Sequence, residues 1–127
     1  MYKHKSADKK KLFLLAKKVQ KNAYAAYSNF YVGAAAQAED GSIFVGCNVE
    51  NAAYGVTQCA ERAAISALIA AGKKKVIALA VVGSVPDFLT PCGACRQWLR
   101  EFMLPQAPIY LCNDAGVQKT SSIAELL

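Results

Sequence analysis

Apolar side chains recur at three- and four-residue steps near the start of the chain, at Leu12, Leu15, Ala16, Val19 and Ala23, with lysines mainly between them. That period predicts an amphipathic surface helix, which Ser6 is placed to cap. The pattern breaks from Tyr24 to Asn29. Two strand-like runs follow, Tyr31 to Ala38 and Ser42 to Cys47, on either side of Glu39-Asp40-Gly41. Asp-Gly between such runs is a strong hairpin signal. A polar stretch, Asn48 to Gln58, leads into an alanine-rich helix from about Cys59 to Ala71, with Gly72 placed to end it in the left-handed conformation. Val76 to Val82 is an unbroken apolar run, as expected of a central strand covered on both faces. Pro91 stands where a further helix would begin, with Cys92 to Met103 behind it and Pro105 closing it. Ile109 to Cys112 then predicts a strand, Asn113-Asp114-Ala115-Gly116 a turn, Val117 to Thr120 a short edge strand, and Ser122 the cap of a last helical turn.

Hairpins make antiparallel neighbours and strand-helix-strand crossovers make parallel ones. The order therefore predicts an α/β protein with three layers, α/β/α, around a mixed five-stranded sheet. A length of 127 residues suits one domain, 1–127, and hence one site. A hydrophobic fraction of 54% with 19% charged residues is that of a globular chain. No apolar run approaches the roughly 20 residues of a membrane span, and no secretory signal is visible, so a soluble cytoplasmic protein without membrane contact is expected.

The net charge of +6 raises nucleic acid as a partner. However, eight of the fifteen basic residues are lysines within the first 21 positions, mostly on the wet face of one helix, without the arginine and aromatic interleaving that reads or stacks on bases. Nucleic acid is not the expected partner.

Five cysteines in a reducing compartment suggest ligands, catalytic groups or core residues rather than disulfides. Cys59-Ala60-Glu61 and Pro91-Cys92-Gly93-Ala94-Cys95 each fall at a predicted helix start, where the dipole lowers a thiol pKa. Cys92 and Cys95 face the same way on one helical turn and can reach one zinc ion at about 2.3 Å. With Cys59 they make three ligands, and the fourth tetrahedral position stays open for water, as catalytic zinc sites require. Glu61 is then placed to move protons to and from that water. Three thiolates leave the site with net negative charge. Arg62, three residues after Cys59, and Arg96, directly after Cys95, are expected to offset that charge by donating hydrogen bonds to the sulfurs. An iron–sulfur cluster would want a fourth cysteine. Cys47 and Cys112 each end a strand-like run and suit small core positions better.

These residues resemble the zinc-dependent cytidine deaminases, specifically the short-chain homotetrameric family. The resemblance runs from about Tyr24 to the end of the chain. It rests on Tyr24-Ala25-Ala26-Tyr27-Ser28, Phe30-Tyr31-Val32-Gly33-Ala34-Ala35, Gly46-Cys47-Asn48-Val49-Glu50-Asn51, Cys59-Ala60-Glu61-Arg62 and Pro91-Cys92-Gly93-Ala94-Cys95-Arg96-Gln97. It implies one zinc ion per subunit and hydrolytic deamination of cytidine and deoxycytidine to uridine and deoxyuridine, with release of ammonia, in pyrimidine salvage. Zinc-bound hydroxide would attack C4, and Glu61 would protonate N3 and then the leaving amino group. By the same resemblance Phe30 packs against the pyrimidine, Asn48 and Glu50 hold the sugar hydroxyl, the backbone N–H of Ala60 meets the base edge, and Tyr54 lies near a pocket shared between the subunits of a homotetramer. Relatives usually continue past Glu125-Leu126-Leu127 with a phenylalanine that closes a neighbour's site, and many have proline at the position of Ala26.

Three other readings compete. Blasticidin S deaminases share the zinc motifs but resemble this chain less around Asn48-Val49-Glu50-Asn51. Editing of cytosine in polynucleotides has only the basic N-terminus behind it. A non-catalytic zinc-stabilised interaction module would have no use for Glu61.

Overall fold

The computed structural model describes residues 6–53, 57–83 and 97–126. The first helix, α1, spans Lys9–Gln20 and is capped by Asp8, whose carboxylate accepts the Lys11 N–H at 3.2 Å, rather than by Ser6. The buried Gln37 side chain explains the later start. It accepts the Asp8 N–H at 2.9 Å and donates to the Ser6 carbonyl at 3.4 Å, holding residues 6–8 against the sheet before the helix can begin. Ala23 lies past the end of α1.

Five strands follow the predicted order: β1 (Val32–Ala38), β2 (Ile43–Cys47), β3 (Val76–Gly83), β4 (Ile109–Asn113) and β5 (Gly116–Ser121). The second helix, α2, spans Ala60–Ala70 between β2 and β3, and a last turn, α3, spans Ile123–Leu126. The sheet order is β2-β1-β3-β4-β5, with β3 in the middle and parallel to β4, and every other pairing antiparallel. The sheet is therefore mixed and five-stranded. Ser122 accepts the Glu125 N–H at 3.3 Å and so caps α3. Of the helix expected from Cys92 to Met103, the described part is helical at 97–99, and the Met103 N–H then bonds to the Leu99 carbonyl at 3.0 Å.

Each face of the sheet carries its own core. Leu12 and Ala16 of α1 pack on Ala35, Ala78, Ala80, Val82, Tyr110 and Cys112, while Ala60, Ala64, Ile65 and Leu68 of α2 pack with Leu99 on the other face. These are the three layers. All seven residues of β1 are buried, and its alanines leave room for a helix on both sides. Gly41, with φ 95°, turns the hairpin between β1 and β2. Asp40 there accepts from the Ser42 N–H and hydroxyl and pairs with Lys73 at 2.8 Å, which ties the hairpin to the far end of α2. Lys73 foremost, then Ser42, holds the Asp40 carboxyl well below the usual carboxylate range. No helix among the described residues is long and apolar enough to cross a membrane.

Candidate active site

Three separated stretches meet in a small backbone ladder before α2. The Tyr24 N–H bonds to the Asn48 carbonyl and the Glu50 N–H to the Tyr24 carbonyl, both at 2.9 Å. Val49 and Gln58 exchange two further bonds, each 2.9 Å. Residues 24, 48–50 and 58 are thus locked side by side, and the next residue is Cys59.

Cys59 occupies the cap position of α2 in extended conformation (φ −76°, ψ 150°), and its side chain makes no capping bond. Its sulfur instead receives Nη2 of Arg62, one turn on, at 3.7 Å. A helix N-terminus and a guanidinium both favour a thiolate over a thiol. Glu61 is on the same first turn and only 4% exposed. Burying a carboxylate is costly, and the positive end of the helix dipole offsets part of that cost.

The position of this turn is set by Gly46. A Cβ there would lie 2.4 Å from the Ala64 nitrogen and 2.8 Å from the Ala60 carbonyl oxygen, so α2 rests directly on the β2 backbone. Gly46 pairs with Ala34, and Ala34 with Val81. The start of α2 therefore stands level with the C-terminal end of β3. That is the end of the sheet where ligands gather in α/β folds. Cys92, Cys95 and Arg96, like Tyr54, lie outside the described residues. Among the described residues no three metal-ligating side chains converge.

The two remaining cysteines are elsewhere. Cys47 pairs with Gly33, whose own Cβ direction points at the Ala16 carbonyl of α1, and Cys112 is buried in the α1 core. Both face the layer opposite Cys59, so neither reaches a cluster built on it. Burial raises both thiol pKa values, that of Cys112 to about 11.

Asn48, 8% exposed, acts as a clip: its Oδ1 accepts the Val32 N–H and its Nδ2 donates to the Phe30 carbonyl, both at 2.9 Å. Phe30 is half-buried and packs on the α2-face core. The Glu50 carboxylate accepts the N–H groups of Tyr27 and Ser28 at 3.0 Å each and the Ser28 hydroxyl as well. These bonds, that from the Ser28 hydroxyl foremost, hold its pKa below the ordinary glutamate value. Of the residues expected to hold base and sugar, Asn48 bonds directly to Phe30, and the ladder joins Asn48 and Glu50 through Tyr24 and Val49 to Gln58, the residue before Cys59. Ser28 was not among those residues. Its signal is a hydroxyl two positions before Phe30, the spacing at which serine bonds back to the chain.

The family model for the cytidine and deoxycytidylate deaminase zinc-binding region matches residues 6–111. The chain is 46% identical over 120 residues to a cytidine deaminase from Sporosarcina psychrophila, covering 94% of this chain and 88% of that one. It is 41% identical to a cytidine deaminase from Halalkalibacterium halodurans, with 94% and 91% covered. The crystal structure of cytidine deaminase from Burkholderia pseudomallei superposes with a TM-score of 0.90 at 44% identity, covering 95% of this chain and 97% of that one.

Proposed function

Because the chain belongs to the cytidine and deoxycytidylate deaminase zinc-binding family, we propose that it hydrolyses cytidine and deoxycytidine to uridine and deoxyuridine, releasing ammonia. One observation carries the reading at the level of residues. A buried carboxylate, Glu61, shares a helical turn with Cys59, whose sulfur is held by Arg62. That donor set fits zinc. A cysteine at a helix start, its sulfur held by a guanidinium, is a zinc ligand of the expected chemistry, and Cys92 and Cys95 would complete the set. When bound, zinc supplies a Lewis acid that makes water a nucleophile near neutral pH.

The chain's own residues do the rest. Glu61 carries one proton from the attacking water to ring N3 and a second from the new C4 hydroxyl to the amino group, which leaves as ammonia. Both transfers need a carboxylate shielded from bulk water, and burial provides it. The Ala60 N–H meets the base edge. Phe30 stacks on the ring, and Asn48 and Glu50 take the sugar hydroxyl. Arg62, with Arg96, offsets the charge of three thiolates.

We further place the enzyme in the cytoplasm, in pyrimidine salvage, as a homotetramer, Tyr54 matching a tyrosine that in the family lies near the pocket shared between subunits. Tyr24, Tyr27, Val45 and Val49 support an oligomer, because all four are exposed beside the ladder or on the edge strand. Loss of cytidine and deoxycytidine absorbance with the zinc-loaded protein, abolished by a chelator and restored by zinc, is the expected result. Turnover of blasticidin S but of neither nucleoside would overturn it.

A further inference from the structure

We propose that Ser28 is a positioning residue for the substrate: its hydroxyl joins the carboxylate of Glu50 to the backbone N–H of Phe30, and so holds the sugar contact and the base contact in one rigid frame. The proposal rests on the reading that Glu50 takes a sugar hydroxyl and Phe30 the base.

The donor directions follow from chemistry. The Phe30 N–H can only donate, and it does so to Ser28 Oγ at 3.0 Å. An ionised carboxylate can only accept, so the Ser28 proton points at Glu50 Oε2. Asn29 makes the geometry possible. It lies between the two with φ 61°, a left-handed conformation that asparagine tolerates, and turns the chain so that Phe30 comes back onto the Ser28 side chain.

Most of the carboxylate's acceptor sites are already taken. Oε1 is taken by the Tyr27 and Ser28 N–H groups and Oε2 by the Ser28 hydroxyl. A carboxylate offers about four lone-pair sites. Among the described residues these three contacts leave one site, on Oε2, directed by the same hydroxyl that fixes Phe30. One remaining acceptor suits one donated hydroxyl.

The test compares kcat/KM for deoxycytidine with that for its analogue lacking the 3'-hydroxyl, in the zinc-loaded enzyme. Wild type should prefer deoxycytidine, and Glu50→Gln should erase the preference. Ser28→Ala should reduce it about tenfold, the effect of one charge-assisted hydrogen bond, mainly through KM. Ser28→Thr, which keeps the hydroxyl, should restore it. If Ser28→Ala lowers both substrates alike, or neither, while Glu50→Gln still erases the preference, Ser28 serves only the loop's structure and the proposal falls alone. If wild type shows no preference, or Glu50→Gln preserves it, the assignment of the sugar to Glu50 fails first and takes the Ser28 proposal with it.

Discussion

Gly33 and Gly46 lie in adjacent rows of the β1–β2 pair and seat helices on opposite faces of the sheet. A Cβ on Gly33 would come within 2.0 Å of the Ala16 carbonyl oxygen, and one on Gly46 within 2.4 Å of the Ala64 nitrogen. Both obstacles are backbone, so neither yields to a rotamer change. What rests on the two seats differs. Under α1 the sheet presents closed packing in which Cys112 donates its thiol to the Tyr110 carbonyl at 3.4 Å. Under α2 it presents the turn that holds Cys59, Glu61 and Arg62. The same residue type is an inert core filler on one face and a ligand candidate on the other. Helix-terminus position and a neighbouring guanidinium make the difference, not the presence of a thiol.

The largest contrast should appear at Glu61. Glu61→Gln keeps the shape and removes the carboxylate proposed to carry the protons, so kcat should fall about 10³-fold, with no loss in melting temperature. Cys112→Ala on the other face should leave kcat unchanged. Turnover by Glu61→Gln close to the wild-type rate would remove the functional difference between the faces.

The two glycines give the next test. Gly33→Ala and Gly46→Ala should each cost about 1–3 kcal/mol of stability by overpacking, read as a shift in denaturation midpoint. Only Gly46→Ala displaces the first turn of α2. Misplacement on the order of 1 Å costs about 100-fold in rate, so turnover per folded molecule should drop by that factor in Gly46→Ala and hold in Gly33→Ala. Equal losses in the two variants would mean that the seat of α2 does not set the catalytic geometry.

Much of this was legible from spacing alone. Leu12, Leu15, Ala16 and Val19 mark α1 because helical period is a local property, and Asp-Gly marks the hairpin for the same reason. The cap of α1 was not legible. Ser6 and Asp8 are comparable caps in isolation, and the choice is made by Gln37, 29 residues from Asp8, which pins the chain before the helix. The site shows the same division. Cys59 and Glu61 are recognisable from their spacing at a helix start, whereas the contact between Gly46 and α2 and the bond from Ser28 to Glu50 arise only when distant segments meet. Asn48 suggests a turn residue in sequence. In the fold its amide replaces a strand's backbone partner for Phe30 and Val32.

A smaller effect is expected at Arg62. Its Nη2 lies 3.7 Å from Cys59 Sγ, and loss of a hydrogen bond to a metal ligand typically weakens metal affinity or activity about 10- to 100-fold. Arg62→Gln should therefore release zinc to a competing chelator at lower concentrations than wild type. Zinc retention and turnover both equal to wild type would show that charge at the α2 face is balanced without it.

The smallest effect belongs to the quiet face. The Cys112 thiol is pushed up to about 11 by burial, from an ordinary value of 9.0. A thiol whose folded pKa is raised favours folding fully below the unfolded value, and that contribution is lost as pH rises through the folded one. Stability should thus decline between pH 9 and pH 11, by about 1 kcal/mol at pH 10 from this group. Tyr110 in the same core is also raised by burial and contributes in the same direction. Chemical denaturation at pH 8 and pH 10 separates the two, because Cys112→Ala removes the thiol's share and leaves the tyrosine's. A pH dependence unchanged by Cys112→Ala would show that this thiol ionises as easily folded as unfolded, and the α1 face would then not be the sealed layer that its packing describes.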